Sequence, residues 1–383
     1  MLKLSHMKIG IDARFFGSIG KGLGRYTQKL IENLEKIDQE NQYIVFLRKE
    51  NFDEYQPKNE NFRKILADYQ WYTFTEQIKM PLLLNKFNLD LVHFPHFNVP
   101  FLYRKKFVVT IHDLILLQFP TFRGTALNPI FYKIKFWCYK FVIWSAIKKA
   151  KKVITVSNFT KKELLKYYKK DLREEKIIVT YEAGNDLEKK DKNKQVSDVE
   201  ILKKYGIIKP YMLYVGNAYP HKNLERMVLA FSSMNKAQKY QLALVGKMDY
   251  FYKRLKKLIE KKNIKNVLFL GQVSDEILDV IYKQSRAYVF PSLYEGFGIP
   301  PLEAMSWNIP VISSDHPCMK EILGDSAYFF NGQEKREIIQ AMEKITTDEV
   351  LINSLIKKGL NQIGKYSWEK MATETLKIYN GEK

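Results

Sequence analysis

Two carboxylates, Glu295 and Glu303, stand on either side of a Gly-Phe-Gly turn and a double proline in PSLYEGFGIPPLEAMS, residues 291–306. A carboxylate can accept two hydrogen bonds from a vicinal diol, and its charge strengthens both bonds. The preceding segment RAYVF is typical of a buried strand, and Pro301 is expected to open a helix that carries Glu303 in its first turn. A glutamate there also complements the helix dipole without any ligand. That explanation leaves Glu295 and the glycines unexplained.

A second chemical candidate is Lys222 in VGNAYPHKNLERM, residues 215–227, where a strand ends and a helix is expected to start. A lysine at that place can join the backbone N–H groups of the helix terminus in holding a diphosphate. The alternative is a lysine that contacts only solvent.

Three histidines also follow or end apolar strands. His112 in TIHDL is either a ligand-binding residue or a buried histidine bonded to the backbone. His93 and His96 in HFPHF could form a metal pair, but no third ligand is nearby in the sequence, so packing at the strand end is favoured. No two aspartates flank a single residue anywhere in the chain, so no metal site of the paired-aspartate kind is expected.

The glycine-rich stretch GSIGKGLGRY, residues 17–26, follows the first strand and leads into a helix. Backbone N–H groups at such a turn favour phosphate. The spacing of Gly20, Gly22 and Gly24 departs from the dinucleotide fingerprint, and the next strand ends in basic residues instead of the expected acid. A loop of Gly22, Leu23 and Gly24 that contacts an anion or an acceptor is therefore favoured over a dinucleotide site, with a plain tight turn as the alternative.

The elements that must position these residues alternate between strands and helices, which predicts parallel sheets covered on both faces. Ser157 in SNFTKKEL is expected to cap one of the helices. Nearly every unusual cluster follows a strand, and open parallel sheets bind ligands at the carboxyl ends of their strands. We predict an α/β protein of two Rossmann-like, doubly wound domains that face a cleft. The predicted strands are MKIGIDARFF, QYIVFLR, LDLVHFP, KFVVTIHDL, KKVITVS, YMLYVGNA, QLALVG, NVLFLG, AYVFPS and PVISSD.

The domain bounds follow from the polar, charged stretch GNDLEKKDKNKQVSDVE, which lacks an apolar pattern and is typical of a linker. The prediction is a first domain over residues 1–185, a linker over 186–206 and a second domain over 207–365. A last helix over 366–383 is expected to pack back on the first domain.

The composition, with 46% hydrophobic and 14% aromatic residues, indicates a globular protein. The two cysteines, Cys138 and Cys318, form neither a disulfide framework nor a zinc pattern, which suits a reducing cytosol. The amino terminus lacks the apolar core of a signal peptide, and the most apolar helical segment, FWCYKFVIWSAI, is too short to span a bilayer. A cytoplasmic location is expected.

The net charge of +21 is concentrated between Leu102 and Lys176, where 18 basic residues face five acidic ones. Such an excess attracts anionic partners. No zinc-finger spacing or RNA-recognition motif accompanies it, so nucleic acid is not the expected partner. Six lysines in and after the aromatic helix predict either a core helix with one hydrated side or a peripheral surface that docks to anionic lipid on the inner face of the cell membrane: Lys133, Lys140, Lys148, Lys149, Lys151 and Lys152.

The segment PSLYEGFGIPPLEAMSWNIPVISSD resembles the Glu-x7-Glu signature of retaining glycosyltransferase family 4, a large group with the GT-B fold. The agreement extends in the family's order to GIDARFF…GLGRY, VTIHDL, ITVSNFT and YVGNAYPHKNLERMVLAF, and it covers most of the chain. Within the family, the sequence is most similar to bacterial mannosyltransferase-type members of cell-surface polysaccharide pathways.

The resemblance implies a GDP- or UDP-linked sugar bound mainly to the second domain and a saccharide or lipid-linked acceptor bound mainly to the first. It implies no cofactor and no metal. Glu303 would contact the nucleotide ribose, Glu295 the donor sugar and Lys222 the diphosphate.

Further contacts are implied for the backbone amides of Gly296, Phe297 and Gly298, which would face sugar or phosphate. His112 would reach the donor sugar at the reaction centre. The loop of Gly22, Leu23 and Gly24 would line the cleft.

The sequence departs from the family at Asn217, where many members carry an arginine that helps to bind diphosphate. More of the phosphate charge would then be held by Lys222, with help from Lys247 or Arg226. Two other functions stay open at this point: a nucleotide-sugar epimerase or phosphorylase-like enzyme of the same architecture, and a nucleic-acid-binding protein with a degenerate sugar-nucleotide fold.

Overall fold

The computed structural model describes residues 6–119, 129–184 and 197–382. They divide into two compact units. The first unit combines the described parts of Met1–Leu114, Leu127–Glu182 and Ser367–Lys383, and the second combines those of Ile115–Ala126 and Ala183–Tyr366. Within the predicted linker, residues 186–196 lie outside the described residues, and Asp198–Lys204 form a helix.

Each unit is built on one parallel sheet. The first sheet has the order β3-β2-β1-β4-β5-β6-β7 and the second β10-β9-β8-β11-β12-β13. Register is set by pairs such as Ile9 opposite Leu91. The strands are β1 (Lys8–Asp12), β2 (Gln42–Leu47), β3 (Phe62–Leu66), β4 (Leu91–Phe94), β5 (Phe107–Ile111), β6 (Lys152–Thr155), β7 (Ile177–Val179), β8 (Tyr211–Val215), β9 (Gln241–Val245), β10 (Val267–Gly271), β11 (Ala287–Phe290), β12 (Val311–Ser314) and β13 (Ala327–Phe330).

All ten predicted strands are present, because parallel strands buried on both faces appear in the sequence as continuous apolar runs. The whole of β5, for example, is buried. Three strands were not predicted: β3, β7 and β13. The prediction of two doubly wound α/β units is confirmed.

Helices follow most strands, and the predicted cap is confirmed, since the Ser157 hydroxyl accepts a hydrogen bond from the Thr160 N–H. In the part of the chain that the structure describes, no helix is long and apolar enough to cross a membrane. The helices are α1 (Lys21–Ile37), α2 (Phe74–Asn85), α3 (Ile115–Gln118), α4 (Pro129–Lys149), α5 (Asn158–Tyr168), α6 (Asp198–Lys204), α7 (Leu224–Met234), α8 (Tyr250–Lys261), α9 (Asp275–Lys283), α10 (Ile299–Ser306), α11 (Pro317–Leu323), α12 (Lys335–Thr347), α13 (Glu349–Ile363) and α14 (Trp368–Asn380).

The last helix, α14, packs against α1 in the first unit, as predicted. Its buried side includes Trp368 and Met371, which are 1% and 0% exposed. The Tyr379 hydroxyl also lies 2.6 Å from His93 Nδ1 in β4. Apolar burial and this hydrogen bond together fix the end of the chain on the first unit.

The glycine-rich segment after β1 differs from the prediction. Residues Gly17–Gly20 form a 3₁₀ turn that leads directly into α1, which begins at Lys21. Gly22, Leu23 and Gly24 therefore lie in the first turn of a helix, and the prediction of a loop there is wrong. Packing requires a glycine at position 24 of this helix, because a Cβ there would lie 2.1 Å from the Gly17 carbonyl oxygen and 2.5 Å from that of Phe15.

Gly24→Ala should lower the free energy of unfolding by about 2 kcal/mol or more, since the added methyl group would push a backbone turn away. Gly22 offers a matched control, because a Cβ there would meet nothing within 4 Å. Gly22→Ala should instead stabilise the helix by about 0.5–1 kcal/mol. Urea denaturation of both variants measures the difference; equal stability would show that Gly24 has no packing role.

Candidate active site

The second sheet brings two predicted clusters together, because β8 and β11 are neighbours although β9 and β10 separate them in sequence. This is the point where the strand order reverses, and doubly wound sheets bind ligands there. The loops that follow the two strands are joined by the Leu293 N–H, which donates to the His221 carbonyl at 2.7 Å. The Asn223 side-chain amide adds a hydrogen bond to the Pro291 carbonyl at 3.2 Å.

Lys222 and Glu295 form an ion pair in these loops, with 2.6 Å between Nζ and Oε1. Their side chains are only 15% and 8% exposed, so Lys222 is not the solvated lysine of the alternative interpretation. Burial alone raises the pKa of Glu295, but the charge and hydrogen bond of Lys222 outweigh burial and hold that pKa below its usual range. Burial beside Lys222 lowers the pKa of His221 to about 4. Glu295 is therefore ionised at neutral pH, with a neutral imidazole beside it.

Glu303 has different surroundings. The helix α10 begins at Ile299, two residues before the predicted start, because Gly298 takes a left-handed conformation (φ 93°) and both prolines fit a first turn that needs no N–H groups. Glu303 is thus the fifth residue of α10, and the prediction of a first-turn glutamate is wrong. The carboxylate is 4% exposed and accepts a hydrogen bond from the Tyr282 hydroxyl at 3.1 Å.

The Gly-Phe-Gly turn between the two glutamates is buried at Gly296 and Phe297 and half-buried at Gly298. Phe297 is 3% exposed, and its ring packs edge-on against Tyr366 at 5.6 Å. At Gly298, a Cβ would lie 2.7 Å from Met319 Cε, in addition to the strained φ. None of these three residues has a polar side chain, so a polar contact of this turn with a ligand would have to involve the backbone.

The residues that were considered for diphosphate binding beside Lys222 differ in their surroundings. Asn217 follows β8, and its side-chain oxygen accepts from the Tyr219 N–H at 3.2 Å. Lys247 is exposed just after β9, the neighbour of β8 in the sheet. The Arg226 guanidinium instead donates to Asn223 Oδ1 and to the Gly332 carbonyl. Of the two predicted helpers, Lys247 is the one whose side chain faces solvent.

His112 belongs to the first unit and follows β5. Its Nδ1 lies 3.0 Å from Glu182 Oε1, and its Nε2 lies 2.9 Å from the Pro95 carbonyl oxygen. Burial lowers the pKa of His112, but the hydrogen bond and the charge of Glu182 outweigh burial. The pKa of His112 therefore lies above the usual 6.5. Glu182 was not predicted from the sequence, because the short strand that it follows, β7, was itself not predicted.

The other two histidines pack inside the first unit, as favoured. His93 is fully buried and bonds Tyr379 and Thr110, while the His96 ring contacts Phe97 at 4.0 Å. Burial lowers the pKa of both histidines to about 3. Among the described residues, no group of three or more histidine, cysteine and acidic side chains could hold a metal ion.

A buried charge cluster at the ends of β1 and β4 was also not predicted from the sequence. The fully buried Arg14 binds Asp12 at 2.7 Å and Glu76 at 2.6 Å. Asn98, after β4, donates to the same Glu76 carboxylate at 2.7 Å. Because breaking a buried pair leaves an uncompensated charge, this cluster holds the loops after β1 and β4 in one arrangement.

Two family models match the chain. The model described as "Glycosyltransferase Family 4" matches residues 20–183, and the one described as "Glycosyl transferases group 1" matches residues 199–362. Together they cover the motifs of both units.

Curated relatives include the O-antigen chain mannosyltransferase RfbU of Salmonella typhimurium, 29% identical over 308 residues, which are 79% of this chain and 76% of RfbU. The O-antigen chain mannosyltransferase B of Escherichia coli is 25% identical over 378 residues, 94% of this chain and 95% of that protein. Among solved structures, Anabaena HepE in complex with UDP-glucose superposes with a TM-score of 0.72 at 15% identity, covering 97% of this chain and 100% of HepE.

Proposed function

Because the chain belongs to glycosyltransferase family 4 and is a glycosyltransferase of the GT-B fold, we propose that it transfers a hexose from a nucleoside-diphosphate sugar to an acceptor. Mannose is the favoured sugar, and synthesis of a cell-surface polysaccharide the favoured process, since two relatives are named O-antigen chain mannosyltransferases. The proposed acceptor is a saccharide or a lipid-linked saccharide. A GDP- or UDP-linked donor is proposed, with HepE as a neighbour of the same fold that binds UDP-glucose.

The observation that carries the proposal is the buried Lys222–Glu295 pair where the strand order of the second sheet reverses. A diphosphate that approaches Lys222 supplies the ammonium group with a second anionic partner. Glu295 then becomes available to hydroxyl groups of the sugar. The proposed contact of Glu303 is the ribose, whose two adjacent hydroxyls suit a carboxylate already oriented by Tyr282.

The proposed reaction proceeds with retention of anomeric configuration. The acceptor hydroxyl attacks the anomeric carbon on the face from which the nucleoside diphosphate leaves, and no enzyme nucleophile is needed. Lys222 and the amides of the Gly296–Gly298 turn stabilise the negative charge that grows on the leaving group. A cation and backbone dipoles supply this stabilisation, so the proposal includes no metal and no cofactor.

The test begins with thermal-shift screening of GDP-mannose, UDP-glucose and related donors, because a ligand at 100 times its dissociation constant stabilises a protein by about 2.7 kcal/mol. The donor found is then assayed for nucleotide release with and without O-antigen-type acceptors, in the presence of EDTA, and the product anomer is assigned by NMR.

Release of nucleotide without an acceptor would favour the epimerase or phosphorylase alternative. Restoration by manganese of an activity lost in EDTA would refute metal independence, and salt-sensitive RNA or DNA binding without turnover would favour the nucleic-acid alternative.

We further propose that the first unit docks to an anionic membrane surface. One side of α2 presents Phe74, Ile78 and Leu82, which are 92%, 55% and 60% exposed. On α4, Trp137 and Phe141 are 69% and 47% exposed. Exposed apolar and aromatic groups among lysines are typical of segments that lie in a membrane interface.

The loop over residues 101–106 contacts both of these helices. The Phe101 N–H donates to the Gln77 side chain of α2 at 2.7 Å, and the Phe101 ring lies 5.1 Å from that of Phe141 in α4. Across residues 74–86, 101–106 and 133–149 the sequence contains one acid, Glu76, which is buried against Arg14. The combined surface is therefore basic and apolar, which suits anionic lipid.

The six lysines that were considered for lipid contact differ in their surroundings. Lys149 donates to the Phe101 carbonyl at 3.0 Å, Lys152 donates to the Glu175 carbonyl at 2.9 Å, and Lys148 lies 3.8 Å from Asp171. Lys133 and Lys151 are exposed. The proposed lipid contacts accordingly include Lys133 together with the exposed Arg104 and Lys105 of the loop.

Vesicles with 30% phosphatidylglycerol should bind the protein at least tenfold more tightly than neutral vesicles, and high salt should reduce that difference. Replacing Phe74, Ile78 and Leu82 by serine should weaken binding, as should Lys105→Ser with Lys133→Ser, at about 1 kcal/mol per lysine. The control is Lys257→Ser with Lys262→Ser, two exposed lysines of the second unit. Sedimentation with vesicles measures the binding. Equal binding to neutral and anionic vesicles would contradict the proposal.

A further inference from the structure

His112 is held from four directions within the first unit. The Thr160 hydroxyl of α5 donates to its carbonyl oxygen at 3.1 Å, and the Tyr26 ring of α1 lies edge-on to the imidazole at 4.7 Å. Glu182 and the Pro95 carbonyl contact the two ring nitrogens at 3.0 and 2.9 Å. The side chains of His112 and Glu182 are 17% and 7% exposed. The ring therefore has one orientation, and Glu182 occupies one of its two polar edges.

The two partners also determine the protonation of the ring. The Pro95 carbonyl and the Glu182 carboxylate can only accept hydrogen bonds, so each requires a proton on the ring nitrogen that faces it. A neutral imidazole carries one N–H and would leave one contact without a proton, whereas an imidazolium satisfies both. The pKa of His112, raised by Glu182 against the effect of burial, agrees with this geometry.

Among the other titratable groups around the ring, Asp113 adds negative charge, while the two buried histidines and Tyr26 stay neutral near pH 7. Asp113, the next residue in the chain, adds to the rise in the pKa of His112. His93 and His96 are neutral near pH 7, because burial lowers their pKa to about 3. The Tyr26 hydroxyl stays protonated, because burial raises its pKa. Glu182 is therefore the anion that contacts the ring directly.

We propose that Glu182 is a positioning residue of the transfer reaction, which fixes the His112 ring in its doubly protonated form so that the ring offers a positive charge and no proton acceptor. The proposal rests on the proposed function and on the family resemblance, which implies that His112 reaches the donor sugar. Both N–H groups are engaged by the protein, so His112 is not a general base. A fixed positive charge on the ring favours the build-up of negative charge during the transfer.

The first test compares pH profiles of kcat/KM for the wild-type enzyme and Glu182→Gln. Glutamine still offers an oxygen to Nδ1 but removes the charge, so His112 of the variant should lose its proton at a lower pH than in the wild type. We expect rates within threefold of each other at pH 6 and a variant that is at least tenfold slower at pH 8. The control is Glu35→Gln, which removes another buried carboxylate of the first unit, one that accepts from Tyr55 and from the Lys58 N–H. Glu35→Gln should keep the wild-type profile, and parallel profiles for wild type and Glu182→Gln would overturn the proposal.

The second test needs no turnover. The ¹³Cε1 resonance of His112, assigned by its loss in His112→Gln, is titrated in the nucleotide-free wild-type protein. A midpoint above 6.5 that falls in Glu182→Gln is the expected result. A wild-type midpoint below 6.5 overturns the proposal, and this measurement decides even where Glu182→Gln does not fold. A raised midpoint in a protein that transfers no sugar would refute the proposed function and the catalytic role of the ring, while the Glu182–His112 contact would stand.

Discussion

Glu295→Ala should lower kcat by about 10²–10³-fold, the loss typical of a preorganised polar group that acts on the transition state. Its affinity for the bare nucleoside diphosphate should stay the same or increase. The reason is the ion pair, because Lys222 loses a carboxylate at 2.6 Å that competes with the diphosphate. An interaction that changes kcat without weakening the ground state is the kinetic sign of contact with the reacting sugar.

Glu303→Ala is the matched comparison, since it removes the other buried carboxylate of the same motif. Its proposed ribose contact does not react, so the variant should bind nucleoside diphosphate and donor more weakly by about 1.5–3 kcal/mol, with a smaller effect on kcat. Calorimetric titration of the nucleotide and steady-state kinetics measure both variants. Equal losses of nucleotide affinity in Glu295→Ala and Glu303→Ala would refute this division between sugar and ribose.

Lys222→Met should be the most damaging single change, because it removes the proposed diphosphate contact and leaves Glu295 buried without its cation. Removing one partner of a buried pair commonly costs about 3–5 kcal/mol of stability. This loss of stability should be largest at pH 7. In the wild type, the depressed pKa of Glu295 contributes stability above its unfolded value of 4.5, and this contribution is lost as the pH falls through the folded pKa. In Lys222→Met, the unpaired carboxyl can take up a proton, so the difference from wild type should shrink at pH 4–5.

The double variant Lys222→Met with Glu295→Leu separates stability from activity. It removes both charges, so it should regain most of the stability that Lys222→Met loses, while sugar transfer stays absent. Lys257→Met, an exposed lysine of α8, serves as the control and should change neither quantity. Urea denaturation at pH 7 and pH 4.5, combined with donor binding, provides the measurement. A double variant as unstable as Lys222→Met would show that the two side chains are not coupled.

The strands show how far the sequence alone could lead. Runs such as FVVTI and YMLYV consist almost entirely of apolar and aromatic residues, because central parallel strands are covered on both faces. In contrast, β3 has the sequence FRKIL and lies at the sheet edge, where only one of its five residues is buried. The strands β7 and β13 are also edge strands and have only three and four residues. The fourth edge strand, β10, was predicted because its sequence VLFLG is an apolar run, although its residues are only half-buried.

The exact starts of helices were the second feature that the sequence alone did not predict. The residue types indicated that Pro301 and the glycines of residues 17–24 lie near helix starts. The positive φ of Gly298 and the close approach of Gly24 to the Phe15 and Gly17 carbonyls accompany the observed starts of α10 and α1. These contacts depend on backbone geometry that the residue types permit but do not specify.

By itself, the sequence determined the alternation of strands and helices, the two doubly wound units and the strand ends where polar groups collect. Local periodicity carries this information, because burial repeats with the period of each element. Only the tertiary structure decided which of those groups meet: Lys222 with Glu295, 73 residues apart, and His112 with Glu182, 70 residues apart. Such pairs depend on strand order, which follows from the packing of the whole unit, and their pKa shifts arise from burial that no short segment can produce alone.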